Sequence, residues 1–173
     1  MKALLLLLSI ISYTQLQSIC QTPNLTVGDQ APNFELYNQN GEIVRLSDFS
    51  GKKVALYFYP KDNTYGCAKQ ARSLRDSYTA LQDAGIIVLG VSKGSKRSKQ
   101  KFITEQQLPF PLLIATKDIL KKYGVFRGFF SLYMPMRWTF LIDENGIIID
   151  IIKNVNTKHH AQQILDAFNK RPI

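Results

Sequence analysis

The chain has 173 residues, 45% of them hydrophobic, with 22 Lys and Arg against 13 Asp and Glu and a formal net charge of +9. That length suits one domain, and the hydrophobic content with no low-complexity tract excludes a disordered chain. The surplus of positive charge favours weak association with an acidic cell-envelope surface; it does not by itself make a nucleic-acid site, and no nucleic-acid partner is expected.

Met1 and Lys2 precede the apolar run Ala3 to Leu8, Ser9, Ile10 and Ile11. One positive charge before a short apolar core is the pattern of a secretory signal peptide, and the run is too short to span a membrane comfortably. A signal peptide over residues 1–20 is therefore expected, with the mature protein exported, periplasmic or secreted. Ser18 and Cys20 are small residues three and one before Gln21, which suits ordinary cleavage. Cys20 also invites a lipoprotein reading, but Ile19 and Gln17 fit that pattern poorly. The chain has two cysteines, Cys20 and Cys67. Removal of the leader would leave Cys67 as a lone thiol, unable to form an internal disulfide and either reactive or open to intermolecular pairing.

The folded domain is expected over residues 25–170. Asn38 to Gly41 reads as the turn of a hairpin between Phe34–Leu36 and Ile43–Leu46. Ser47 to Gly51 reads as a short turn or a single helical turn. Lys53 to Tyr59 is apolar at consecutive positions, as in a central strand buried on both faces. A helix from Cys67 to a C-cap at Gly85 follows, then a second buried strand over Ile86–Val91. This strand–helix–strand run implies a right-handed parallel crossover. Lys96, Arg97, Lys99 and Lys101 read as the solvated face of a basic helix docked by Phe102 and Ile103. Leu112–Ile114 is a short strand, and Ile119–Tyr123 a short helix closed by Gly124. Asp143 to Gly146 joins Trp138–Ile142 to Ile147–Ile152 in a second hairpin. A last helix carries Ala161, Ile164, Leu165 and Phe168 on one face. The order predicts an α/β sandwich with a mixed central sheet.

Cys67 lies one turn before the helical stripe Ala71, Leu74, Tyr78 and Leu81. Its sulfur then falls in the first turn of a helix, where unpaired N–H groups and the helix dipole favour a thiolate, the nucleophilic form. A lone cysteine can instead be a small buried hydrophobe. The neighbours Pro60, Thr64 and Gly66 weigh against that, since a packing role needs none of them.

Pro60, Thr64 and Cys67, spaced Pro-x-x-x-Thr-x-x-Cys, resemble the peroxiredoxin active-site signature. The surrounding chain resembles the bacterioferritin-comigratory, or peroxiredoxin Q, branch in Val27–Phe34, Tyr57–Asp62, Leu108–Leu112, Tyr123–Val125 and Arg137–Asp143, over roughly residues 25 to 168. The resemblance implies a thioredoxin-like α/β/α fold and reduction of hydrogen peroxide and organic hydroperoxides by Cys67 through a sulfenic acid. It implies that Thr64 hydrogen-bonds the thiolate and the peroxide, that Arg137 stabilises the thiolate and the transferring oxygen, and that Pro60 shields the sulfur. The backbone N–H groups of Gly66 and Cys67 would hold the peroxide oxygens. No metal or cofactor is expected. Read without the resemblance, Thr64 is equally a helix cap and Arg137 a surface cation. The sequence also departs from the branch. Arg72 stands where the resolving cysteine is found, Gln70 where Glu is usual, and Tyr65 where Pro is common. The implied reductant is therefore external, a thioredoxin-like protein or a low-molecular-weight thiol. An exported thioredoxin-like disulfide reductase would need a second cysteine at Gln70, and a non-catalytic thioredoxin-fold binding module would not need Thr64, Cys67 and Arg137 together.

Overall fold

The computed structural model describes residues 25–129 and 132–170. The expected leader, residues 1–20 with Cys20, lies outside them. Strand β1 (Glu35–Tyr37) pairs antiparallel with β2 (Ile43–Arg45), Leu36 opposite Val44. Asn38 makes the turn, its Oδ1 accepting from the backbone N–H groups of Asn40 and Glu42 at 2.8 and 3.0 Å. A single 3₁₀ turn, Leu46–Phe49, leads into β3 (Lys53–Phe58).

Strand β3 is the centre of a five-stranded mixed sheet in the order β5-β4-β3-β8-β9. It runs parallel to β4 (Ile86–Ser92) and antiparallel to β8 (Thr139–Ile142). Strand β4 pairs parallel with β5 (Leu112–Ile114), and β8 pairs antiparallel with β9 (Ile148–Ile152). Between β3 and β4 the chain crosses over through α1 (Tyr65–Asp76) and α2 (Tyr78–Asp83). The single helix expected from Cys67 to Gly85 is thus two. Ser77 leaves the helical region, with ψ at 17°, and its N–H bonds Arg75 O, so the α1 ladder stops there. The crossover ends at Gly85, whose φ of 73° suits a residue without Cβ.

Because side chains alternate across a strand, β3 serves two cores. Val54, Leu56 and Phe58 pack with the β1–β2 hairpin and with Ile119 and Leu120 of α4 (Lys117–Lys122). Ala55, Tyr57 and Tyr59 pack with Cys67, Ala71 and Leu74 of α1, with Phe102 of α3 (Lys96–Gln106), and with Ile164 of α5 (His160–Asn169). This is the thioredoxin-like sandwich, with Cys67 on the inner face of α1. One short hairpin, β6 (Phe126–Phe129) with β7 (Leu132–Pro135), was not legible as strands and stands apart from the main sheet.

The reading of α3 as a solvated basic helix needs correction at one residue. Lys99 is fully buried, and its ammonium reaches Asp62 Oδ1 at 2.8 Å and the Tyr59 hydroxyl at 3.1 Å, and contacts Ser92 Oγ closely. The physical reason is register. Lys99 lies three residues before Phe102, on the same helical face, and that face docks on the sheet.

Candidate active site

Helix α1 begins two residues before Cys67, at Tyr65, with Thr64 as its N-cap. Cys67 is therefore the third residue of the first turn. The intrahelical ladder begins with Ala68 N–H on Thr64 O at 2.8 Å, so the N–H groups of Gly66 and Cys67 precede it. The turn offers both N–H groups and the positive end of the helix dipole to an anion. Cys67 itself is 2% exposed.

Arg137 comes from the segment just before β8. The β3–β8 pairing extends one residue past β8, with Phe58 N–H donating to Trp138 O at 2.8 Å. This brings Arg137 beside the chain as it leaves β3 for Pro60. Its Nη2 donates to Cys67 Sγ at 3.3 Å. Gly66 lies beside this contact; a Cβ there would meet Arg137 Nη2 at 3.4 Å, an ordinary van der Waals distance. Arg137 makes no ion pair with a carboxylate among the described residues. Its Nη1 donates instead to Gln70 Oε1 in a short hydrogen bond.

Gln70 lies one helical turn after Cys67 and is fully buried. Its Nε2 is 3.2 Å from His160 Nδ1, and His160 Nε2 is 2.9 Å from Thr139 Oγ1. Burial first, and then the neighbouring Arg137 charge, pushes the His160 pKa down from 6.5 to about 3, so the ring is neutral at physiological pH.

Thr64 differs from the role the resemblance implies. Its hydroxyl is 3.3 Å from Lys61 O, to which it donates, and it makes no hydrogen bond to the sulfur. It caps α1 by backbone conformation alone, without a side-chain bond. Pro60 is half-buried and, with Arg137, lines a groove of about 1010 Å³. Tyr133, Met134, Met136 and Trp138 supply apolar wall, and Lys61, Arg127 and Lys153 add positive charge. No acidic residue lines it among the described residues.

Between Pro60 and Thr64 the loop is anchored by Asp62. Its carboxylate accepts from the Tyr59 hydroxyl at 2.8 Å, from Ser98 Oγ at 2.7 Å and from Lys99 Nζ at 2.8 Å. Gly94 leaves room for this cluster, because a Cβ there would stand 2.7 Å from Ser98 Oγ and 2.9 Å from Asp62 Oδ2. Burial lowers the Lys99 pKa, while Asp62 and then Cys67 oppose that. Tyr57 is raised well above its usual value, by burial first and then by the nearby Cys67.

Sequence reasoning named Cys67, Arg137, Pro60, Thr64 and Gly66, and the structure gathers them at one end of β3 and α1. It missed His160, Thr139, Asp62 and Lys99 as partners of the site. Asp62 sat in a quoted motif, and His160 is one of only two histidines; no spacing rule links either to Cys67. Among the described residues, no cluster of His, Cys, Asp and Glu could hold a metal ion.

Residues 27–151 match the family model described as AhpC/TSA. The chain is 37% identical over 148 residues to peroxiredoxin Bcp of Bacillus subtilis, covering 83% of this chain and 94% of that protein. It is 40% identical over 131 residues to a chloroplastic peroxiredoxin Q of Sedum lineare, covering 75% and 70%. Among solved structures, peroxidoxin BcpB of Mycobacterium tuberculosis superposes with a TM-score of 0.79 at 30% identity, covering 86% of this chain and all of that one.

Proposed function

The chain belongs to the AhpC/TSA family and is a thiol peroxidase of the Bcp and peroxiredoxin Q kind; from that premise we propose that it works by a one-cysteine cycle and acts in the cell envelope. The observation that carries the chemistry is the Arg137 guanidinium at 3.3 Å from the Cys67 sulfur, in the first turn of α1. The Cys67 thiolate attacks the terminal oxygen of a hydroperoxide. An S–O bond forms, the O–O bond breaks, and the departing oxygen takes a proton and leaves as water or an alcohol. Arg137 and the N–H groups of Gly66 and Cys67 face the charge that develops during the transfer. The apolar wall of the groove beside Pro60 supports organic hydroperoxides as substrates alongside hydrogen peroxide.

Cys67 is the only cysteine among the described residues. An external thiol then attacks the sulfenic acid, giving a mixed disulfide and water. A second thiol releases Cys67 as thiol and leaves as a disulfide. The Lys2 and Leu4–Leu8 pattern supports export, and the net charge of +9 supports contact with an acidic envelope surface.

Two measurements test this. Cys67→Ser is expected to abolish peroxide turnover with the fold intact; retained turnover would defeat the assignment. After one equivalent of peroxide, intact mass spectrometry is expected to show one added oxygen that converts to a thiol adduct. A predominant covalent dimer through Cys67 would overturn the one-cysteine cycle. At high peroxide the unresolved sulfenic acid is expected to advance to sulfinic acid.

A further inference from the structure

Arg137 touches the sulfur, yet among the described residues no carboxylate pairs with Arg137. Its other nitrogen rests on a neutral amide, and that amide rests on a neutral ring. Gln70, His160 and Thr139 are all fully buried, so water does not compete for these bonds. We propose that Gln70 and His160 form an uncharged clamp that orients Arg137 on Cys67, with His160 as the positioning residue that holds the Gln70 amide in place.

The argument is one of donors and acceptors. A Gln side chain has one acceptor end and one donor end. Arg137 only donates, so Gln70 must turn its oxygen toward Arg137 and its NH₂ toward His160. His160 Nδ1 must then accept, which puts the ring proton on Nε2, where it donates to Thr139 Oγ1 at 2.9 Å. One tautomer and one amide orientation satisfy every atom. The flipped amide would set NH₂ against the guanidinium, two donors facing each other. Arg137 thus dictates the amide orientation, and His160, by accepting from the amide NH₂, holds Gln70 in it. Residues 137 and 139 are two apart along the chain entering β8, so they share a face. The chain Arg137–Gln70–His160–Thr139 therefore closes on itself through the backbone. The Tyr57 ring packs edge-on to His160 with centroids 5.9 Å apart.

A neutral clamp matters because a carboxylate at position 70 would also hold Arg137 while cancelling much of its charge at the sulfur. The remaining ionisable groups around the site leave Arg137 unopposed. Asp62 is paired with Lys99, and buried Tyr57 and Tyr59 are held well above their usual pKa and stay neutral.

The inference rests on Cys67 as the reacting thiol, but its test does not need turnover. The thiolate absorbance of Cys67 is titrated against pH in the full chain and its variants, beside thermal melts. His160→Leu removes the acceptor and is expected to raise the titration midpoint by about 1 unit, the low end for a displaced neighbouring charge. His160→Asn, whose oxygen can stand in for Nδ1, is expected to return the midpoint to within about 0.3 unit of the parent's, on the same scale. Gln70→Glu is expected to raise it by about 1 unit, through the added like charge. If His160→Leu does not fold, Thr139→Val removes the outer acceptor with little change of shape and should shift the midpoint the same way by less. A lower melting temperature with an unmoved midpoint in the folded variant would reduce His160 to packing and overturn the proposal. An equal shift in His160→Leu and His160→Asn would overturn it as well. Absence of peroxide turnover by the parent protein would defeat the peroxidase reading and leave the titration result standing.

Discussion

Replacing Lys99 by Met should destabilise the protein through a group that the mutation leaves untouched. Lys99 and Asp62 are a buried pair, with side chains 0% and 7% exposed and 2.8 Å apart. Removing one partner of such a pair costs about 3–5 kcal/mol, mostly because the other charge stays buried without compensation. Asp62 would keep the hydroxyls of Ser98, Tyr59 and Ser92, at 2.7, 2.8 and 3.3 Å. These retained hydroxyl donors put the loss at the lower end, about 3 kcal/mol. At about 2–4 °C per kcal/mol for a domain of this size, the melting temperature should fall by about 6–12 °C. The double variant Lys99→Met with Asp62→Asn removes the stranded charge and should recover all but about 1 kcal/mol, since neutral replacements of buried ion pairs are often well tolerated. Urea unfolding followed by fluorescence of Trp138, the chain's one tryptophan, measures each variant. The denaturant slope should stay constant and the midpoint should move. A single variant losing less than about 1 kcal/mol, or a double variant no better than the single, would refute the reasoning. Asp62 lies in the loop between Pro60 and Thr64, so the single variant should also slow peroxide turnover while remaining folded.

Arg137→Ala should lower kcat/KM for hydrogen peroxide about 100-fold, the low end for losing a donor aimed at developing charge. Arg137→Lys should restore only part of it, because one ammonium cannot replace a planar fork that reaches both Cys67 and Gln70; equal rates for Arg137→Lys and the parent would refute this. Folding stability should fall below pH 6.5. His160 is held near 3 when folded, so the unfolded chain binds more protons between about 3 and 6.5, and stability is complete above that window and lost as pH drops through it. The slope should approach about 1.4 kcal/mol per pH unit below pH 6, a loss of about 2 kcal/mol between urea midpoints at pH 7 and 5, and His160→Asn should flatten it. Mass spectrometry of the native protein should find roughly the first 20 residues removed, as the leader pattern predicts. An intact Met1 would favour an N-terminal anchor, and a diacylglyceryl mass on Cys20 would restore the lipoprotein reading.

Apart from the β6–β7 hairpin and the break at Ser77, the sequence by itself carried the order of strands and helices, because periodicity and turn chemistry are local. Val54, Leu56 and Phe58 alternate with Ala55, Tyr57 and Tyr59, and the chain shows that pattern without any knowledge of what lies above or below. Cys67 at a helix start was equally local. It followed from the stripe Ala71, Leu74, Tyr78 and Leu81 and from the breakers before it. The approach of Arg137 was half legible, since its partner strand could be guessed but its 3.3 Å contact with sulfur needed the antiparallel pairing of β3 and β8. The break at Ser77 escaped because apolar spacing runs on through it. Lys99 was misread for a related reason. Four cations in six residues look alike on paper, and only the docking of α3 decides that one of them faces the sheet. The Gln70–His160–Thr139 chain joins residues from α1, α5 and β8, so no window along the chain contains it. Such bonds form where packing brings distant buried polar groups together and leaves them no water to bond instead. The tertiary structure therefore decided which polar side chains serve Cys67, whereas the local pattern had already determined where Cys67 would stand.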